Sequence, residues 1–175
     1  MHQLMSVPKH DNPTSSMLTP QASFMLQRAP LLAIGTVDDQ GQPWTTIWGG
    51  EPGFSQPLGP SIVGTRTLVD RKYDPVVQSL IGGQDDGEVV KGEGLGKMVS
   101  GLTIDLMTRK RVKIYGRMIA AALSRISDDE MHQESDTSAQ GQVQLVVRIE
   151  QSLGKSSPWQ LGQMLMERRQ LPQIS

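Results

Sequence analysis

From Arg109 to Met118 the chain alternates without a break. Lys110, Val112, Ile114, Gly116 and Met118 fall on one side, and Arg109, Arg111, Lys113, Tyr115 and Arg117 on the other. Successive side chains of a β-strand point to opposite faces, so a strand here buries a mostly apolar row and displays four cations opposite it. A cationic row in a sheet is costly unless water or an anion compensates it. Two readings follow, a solvated outer face of a sheet and a face that receives an anionic ligand, most simply a phosphate. The segment alone leaves both open.

Its neighbours in sequence extend the β pattern. Met98 to Leu106 and Arg109 to Leu123 read as a hairpin. Matching their apolar faces predicts Leu102 and Ile104 beside Ile114 and Val112, with Asp105 opposite Arg111 as a cross-strand carboxylate. Leu31 to Val37 and Trp44 to Trp48 form a second hairpin around Asp38-Asp-Gln-Gly-Gln-Pro43. Ser61 to Leu68, rich in Thr, Val and Ile, is a further strand, and Val143 to Ile149 the last clear one. Thr19-Pro20 and Asp74-Pro75 each place a capping side chain before a proline, which predicts short helices to about Arg28 and about Ile81. Ser157-Pro158 repeats the signal for a final helix to about Arg169.

Between these elements lie Gly-, Pro- and charge-rich stretches. Gly82 to Lys97 reads as an exposed insertion, and its Gly92-Glu-Gly-Leu-Gly-Lys97 lacks P-loop spacing and a preceding strand. Ser124 to Gln140 is polar and acidic and reads as a disordered loop. The organisation expected is a flexible arm over 1–18, a domain over 19–154 and a divergent helix or tail over 155–175.

Composition excludes several functions. A formal charge of -1 gives no global basic field, so bulk nucleic-acid binding is not expected. The absence of cysteine removes disulfides, thiolate nucleophiles and Cys-ligated metals. The three histidines, His2, His10 and His132, fall in tail or loop segments, which argues against a His-based triad or metal cluster. No run is long and apolar enough for a membrane helix, and no signal peptide is evident. A soluble, cytoplasmic protein is expected. Strands separated by turns, with helices at corners and no βαβ rhythm, favour a mainly β fold with short helices, a small antiparallel barrel. The same pattern disfavours a Rossmann nucleotide site.

Three segments in order carry a family resemblance: Leu32-Ala-Ile-Gly-Thr-Val-Asp-Asp-Gln-Gly-Gln-Pro-Trp-Thr-Thr-Ile-Trp-Gly-Gly50, then Asp70-Arg-Lys-Tyr-Asp-Pro75, then Gly101 to Gly116. Together they resemble the pyridoxamine 5'-phosphate oxidase-like family, over roughly Phe24 to Gly154. The resemblance implies an FMN-binding split β-barrel of antiparallel Greek-key type, a homodimer with FMN at the subunit interface, and flavin-dependent oxidoreductase chemistry. It also implies a site: Trp44 to Gly49, with Thr45, Thr46 and Gly49, lining the flavin, Arg71 and Lys72 gripping the phosphate, and Arg111 matching a polar or basic family position. Thr67 could add a donor. An FMN phosphate needs several charge-assisted donors, which these residues could supply. Trp44 and Trp48 could wall the ring or be barrel core or dimer contacts. Arg71-Lys72 could equally be a solvated pair interacting with Asp70 or Asp74.

Departures limit the inheritance. The C-terminal tryptophan and Arg-x-His element of true pyridoxamine phosphate oxidases have no counterpart, so pyridoxal phosphate synthesis is not expected. After Glu150-Gln-Ser-Leu-Gly154 the chain continues Lys155-Ser-Ser-Pro-Trp-Gln160 where close relatives have Gly-Asn-Cys-Pro-Lys-Tyr. Related longer proteins fuse such a barrel to a reductase module; nothing in this sequence reads as one, and electrons are expected to come from NAD(P)H or an external reductase. The alternative from another class is a non-catalytic flavin carrier or dimerisation module with a degraded site. A third keeps the barrel and exchanges the ligand for haem or a deazaflavin; the lack of a core histidine disfavours His-ligated haem.

Overall fold

The computed structural model describes residues 14–125 and 140–154. In chain order the elements are α1 (Pro20–Arg28), β1 (Leu31–Val37), β2 (Pro43–Gly49), β3 (Ser55–Gly59), β4 (Ile62–Asp70), α2 (Pro75–Ile81), β5 (Val89–Lys91), β6 (Met98–Asp105), β7 (Lys110–Arg125) and β8 (Gln140–Gly154). All eight strands join one antiparallel sheet of order β2-β1-β6-β7-β8-β4-β3, with β5 added to the far half of β7. The mainly β class expected from the sequence is the observed one. None of the described helices is long and apolar enough to cross a membrane.

The sheet curls on itself. Its two end strands, β2 and β3, are joined by the short loop from Gly50 to Phe54, and β4, next to β3, approaches β2, where the Thr67 hydroxyl donates to the Gly49 carbonyl. No ladder forms between them, so the barrel is split along this seam. The inside is filled by alternate residues of each strand, including Ile34, Val63, Val112, Val143 and Leu145. Helix α1 buries Ala22, Met25 and Leu26 against β3, β6, β7 and β8, and α2 buries Val76, Val77, Leu80 and Ile81 against β1, β2 and β7. Both helices begin as their sequences predict. Thr19 accepts from the Ala22 amide, and Asp74 accepts from those of Val76 and Val77.

The β6–β7 register differs from the expected one by a single residue. Asp105 pairs with Lys110, Ile104 with Arg111, Thr103 with Val112 and Gly101 with Ile114. Turn chemistry outweighs hydrophobic matching here. The Asp105 carboxylate accepts from the amides of Met107 and Thr108 and from the Thr108 hydroxyl, and Arg109 takes a left-handed conformation (φ 56°). These bonds hold its carboxyl below the ordinary value of 3.8, the Thr108 hydroxyl contributing most. Gly101 and Thr103 therefore face the core. A Cβ at Gly101 would stand 2.8 Å from Ile114, so only glycine admits this approach, and the Thr103 hydroxyl donates to the Leu31 carbonyl. Leu102 and Ile104 turn outward. Arg109 belongs to the turn, leaving Arg111, Lys113 and Arg117 as the cations on the outer face.

Strand β3 is not among the elements expected from the sequence; it carries Pro57, which an edge strand tolerates because it needs no amide hydrogen there. The stretch from Gly82 to Lys97 contains β5, and Lys97 anchors its end by donating to the Ser79 carbonyl at 2.5 Å. Part of the predicted N-terminal arm is tied down, since Ser15 bridges to Ser152 and Leu18 donates to the Pro60 carbonyl. The predicted helix after Ser157-Pro158 and nearly all of the acidic loop lie outside the described residues.

The β1–β2 hairpin has its own lock. The Asp38 carboxylate accepts from the Trp44 indole at 2.8 Å and from the amides of Gln40 and Gln42. The Trp44 bond, then the Gln42 amide, hold its carboxyl below its ordinary value of 3.8. A depressed folded value means the stabilisation is present above pH 3.8 and is lost as pH falls through the folded value. Acid titration followed by NMR is expected to move the Trp44 indole proton only below pH 3.8; movement centred above that pH would contradict the lock.

Candidate functional site

The barrel's outer face carries the candidate site. A cleft of about 470 Å3 lies on strands β1, β2, β6, β7 and β8, within the usual range for small-molecule sites. Its floor follows from strand register, which aligns outward residues of neighbouring strands into rows. One row runs Thr45, Gly35, Ser100, Tyr115, Gln151, each the paired neighbour of the next. The next row runs Ile47, Ala33, Leu102, Lys113, Leu153. Every one of these residues except Ile47 lines the cleft.

The two rows differ in chemistry. The first presents hydroxyls and an amide around a glycine. A Cβ at Gly35 would stand 3.0 Å from the Ser100 hydroxyl and 3.2 Å from that of Thr45, so the floor is flat only because this residue is glycine. The second row is apolar apart from Lys113. Its ammonium is the one full charge among the described residues that line the cleft. Arg111 is exposed on the same face, two residues along the strand, about 7 Å away at the ordinary strand rise. Arg117 is committed elsewhere, 3.7 Å from Glu150.

The residues expected from the sequence fall in three places. Thr45 lines the cleft, and Arg111 flanks it. Thr46 lies on the opposite, core-facing side of β2, beside the paired Ile34. Gly49 and Thr67 meet at the barrel seam. Arg71 and Lys72 follow β4, away from the cleft. The Arg71 guanidinium, four-fifths buried, pairs with Asp86 at 3.0 Å, while Lys72 is exposed with its ammonium 5.1 Å from the Tyr73 ring. Neither Asp70 nor Asp74 takes up this pair's charge. Asp70 accepts from the amides of Lys72 and Tyr73, and Asp74 caps α2.

The tryptophans serve the barrel. Trp48 is core, its indole donating to Asp74 at 2.9 Å, and Trp44 locks the hairpin. Ser100, Lys113, Tyr115 and Gln151 were missed as site residues. The alternation around Arg111 already set Lys113 and Tyr115 on one face, but Ser100 and Gln151 join them only through register. Among the described residues no group of His, Asp or Glu could hold a metal ion. All three histidines lie outside those residues.

No family model matches the chain, and no curated protein matches it. Solved structures do. A Lactobacillus delbrueckii protein provisionally named a pyridoxamine 5'-phosphate oxidase is 16% identical with a TM-score of 0.46, over 79% of this chain and 95% of its own. HupZ of Group A Streptococcus is 12% identical with a TM-score of 0.44, over 81% and 96%. An FAD- and heme-binding protein of Mycobacterium smegmatis is 10% identical with a TM-score of 0.35, over 86% and 79%.

Proposed function

We propose that this chain is a flavin-binding split-barrel protein whose cofactor is FMN, held on the outer face of the sheet. The observation that carries the reading is the pair of rows in the cleft. A flat ring system with one polar edge and an anionic tail matches an apolar row, a parallel row of hydroxyl and amide groups, and a cation beside them. Thr45, Ser100 and Gln151 would bond the polar edge, Gly35 would admit the ring, and Lys113 with Arg111 would hold the phosphate. When bound, the flavin supplies hydride or electron chemistry, and the protein contributes binding, orientation and electrostatics. Electrons would come from NAD(P)H or an external reductase.

The same face supports a homodimer. Leu31, Ile47 and Ile104 are exposed on it, and a second copy would cover them and exclude water from the ring. The unit proposed to bind flavin is 19–154, acting in the cytoplasm.

One observation favours the second reading, a carrier or dimerisation module that has lost catalysis. Arg71, the family's phosphate residue by resemblance, already has Asp86 as its anion, and the Thr67 hydroxyl already serves Gly49.

The test is the visible spectrum of the purified protein with mass analysis of any released cofactor. The expected result is a flavin spectrum with FMN in stoichiometric amount, reduced by NAD(P)H or a reductase and reoxidised by an acceptor. A flavin that stays inert would select the carrier. A colourless protein that also fails to bind added FMN would overturn the flavin reading.

A further inference from the structure

Tyr115 is the one aromatic side chain among the described residues that line the cleft. It lies within the polar row, paired with Ser100 on β6 to one side and with Gln151 on β8 to the other. A phenol departs from the rest of that row, whose other members are small or flexible. Side chains of a strand stand roughly perpendicular to the sheet, and an upright tyrosine here would divide the cleft as a post.

A single bond draws it over. The Tyr115 hydroxyl donates to the Met98 sulfur at 3.1 Å. Met98 is the paired neighbour of Arg117, two residues further along β7, so the phenol reaches a diagonal neighbour about 7–8 Å away. That reach leans the ring over the sheet and away from Lys113. A ring drawn down in this way offers its face where an upright one offers its edge. The residue is partly exposed, and the face is not taken by a neighbouring charge. Lys113 and Arg117 flank it along the strand, yet the cations that sit over rings among the described residues are Arg28 over Phe24 and Lys72 over Tyr73. Arg117 turns instead to Glu150, 3.7 Å away.

Beside the phenol the floor is low. Ser100 is small, and Gly35, the next in the row, has no side chain. Gly35 and Tyr115 are two strand spacings apart, about 10 Å, so one fused ring system lying over the glycine reaches the phenol. Offset aromatic rings attract, the more so when one is electron-rich, as a phenol is, and the other electron-poor, as an oxidised flavin is.

We propose that Tyr115 is the platform on which the ligand's flat ring stacks, with the Met98 sulfur as the peg that holds the phenol down. The proposal rests on the flavin reading and deepens it, laying the ring across β1, β6 and β7 with Tyr115 in contact. It also makes the bound flavin dark. A phenol touching a photoexcited flavin passes it an electron and takes it back, so the light is lost with no net chemistry.

The full chain, Tyr115→Phe and Tyr115→Leu are compared with riboflavin and FMN, affinity by equilibrium dialysis and emission by the lifetime of the bound flavin. Strong quenching is expected in the unchanged protein. Tyr115→Leu, which has no ring, is expected to bind both ligands about fivefold more weakly and to lengthen the lifetime severalfold. Tyr115→Phe keeps the stack, so its affinity should stay within about twofold of the unchanged protein. Its lifetime should still lengthen, because a phenyl ring gives up an electron less readily than a phenol. A purely structural role would not separate affinity from lifetime. If the unchanged protein binds flavin and Tyr115→Leu shows the same lifetime, the platform is wrong and the flavin reading stands. If the unchanged protein binds neither ligand, both fall. Should Tyr115→Leu not fold, Tyr115→Phe decides alone, an unaltered lifetime overturning the proposal.

Discussion

Replacing Asp74 by alanine is expected to lower the thermal midpoint by about 9 °C, at roughly 2–4 °C per kcal/mol for a chain of this size. One carboxylate does two jobs. Its first oxygen accepts from the amides of Val76 and Val77 at the start of α2, and its second accepts from the buried indole of Trp48 at 2.9 Å. Loss of the cap costs about 1 kcal/mol. An indole left unpaired in the core costs about 1–3 kcal/mol more. The sum is about 3 kcal/mol, measured by thermal or urea unfolding. A Trp48→Phe background isolates the second part. With no indole to strand, Asp74→Ala there should cost only the cap, and the double-mutant cycle should give a coupling above about 1 kcal/mol. Additive effects would mean that the indole bond contributes nothing.

The second large effect concerns the cofactor. The double variant Arg111→Ala, Lys113→Ala is expected to bind FMN about a hundredfold more weakly, since two charge-assisted bonds at about 1.5 kcal/mol each are removed. Arg71→Ala, Lys72→Ala is expected to change affinity far less, because Arg71 is already neutralised by Asp86. Fluorescence titration with FMN, with riboflavin as a phosphate-free control, reads both. Riboflavin affinity should be unchanged in either variant. If the Arg71, Lys72 variant loses FMN and the Arg111, Lys113 variant does not, the phosphate sits where the family resemblance first put it, and the cleft loses its claim.

Both expectations mix what could be read from the chain with what could not. The cap at Asp74 is written in Asp74-Pro75, since local geometry brings the side chain to its own helix. Its bond to Trp48 is not written there, because it joins residues 26 positions apart through the barrel. Likewise, alternation set Lys113 and Tyr115 apart from Val112 and Ile114, but could not say which residues of β6 would stand beside them. That depended on whether the turn or the apolar match fixed register. The Asp105 bonds and left-handed Arg109 decided for the turn, and a shift of one residue sent Leu102 and Ile104 outward.

By itself the sequence determined the elements: two capped helices, the two hairpins, the β class and the cationic alternation of β7, all set by contacts within a few residues. The tertiary structure alone decided which faces meet. It separated Arg71 from Arg111, took Trp48 into the core, and aligned Thr45, Gly35, Ser100, Tyr115 and Gln151 into one row across five strands. The physical reason is that strand periodicity fixes a side chain's face only relative to its own neighbours. Register, seam and curl are settled by turns, close glycine approaches and core packing between segments far apart in the chain.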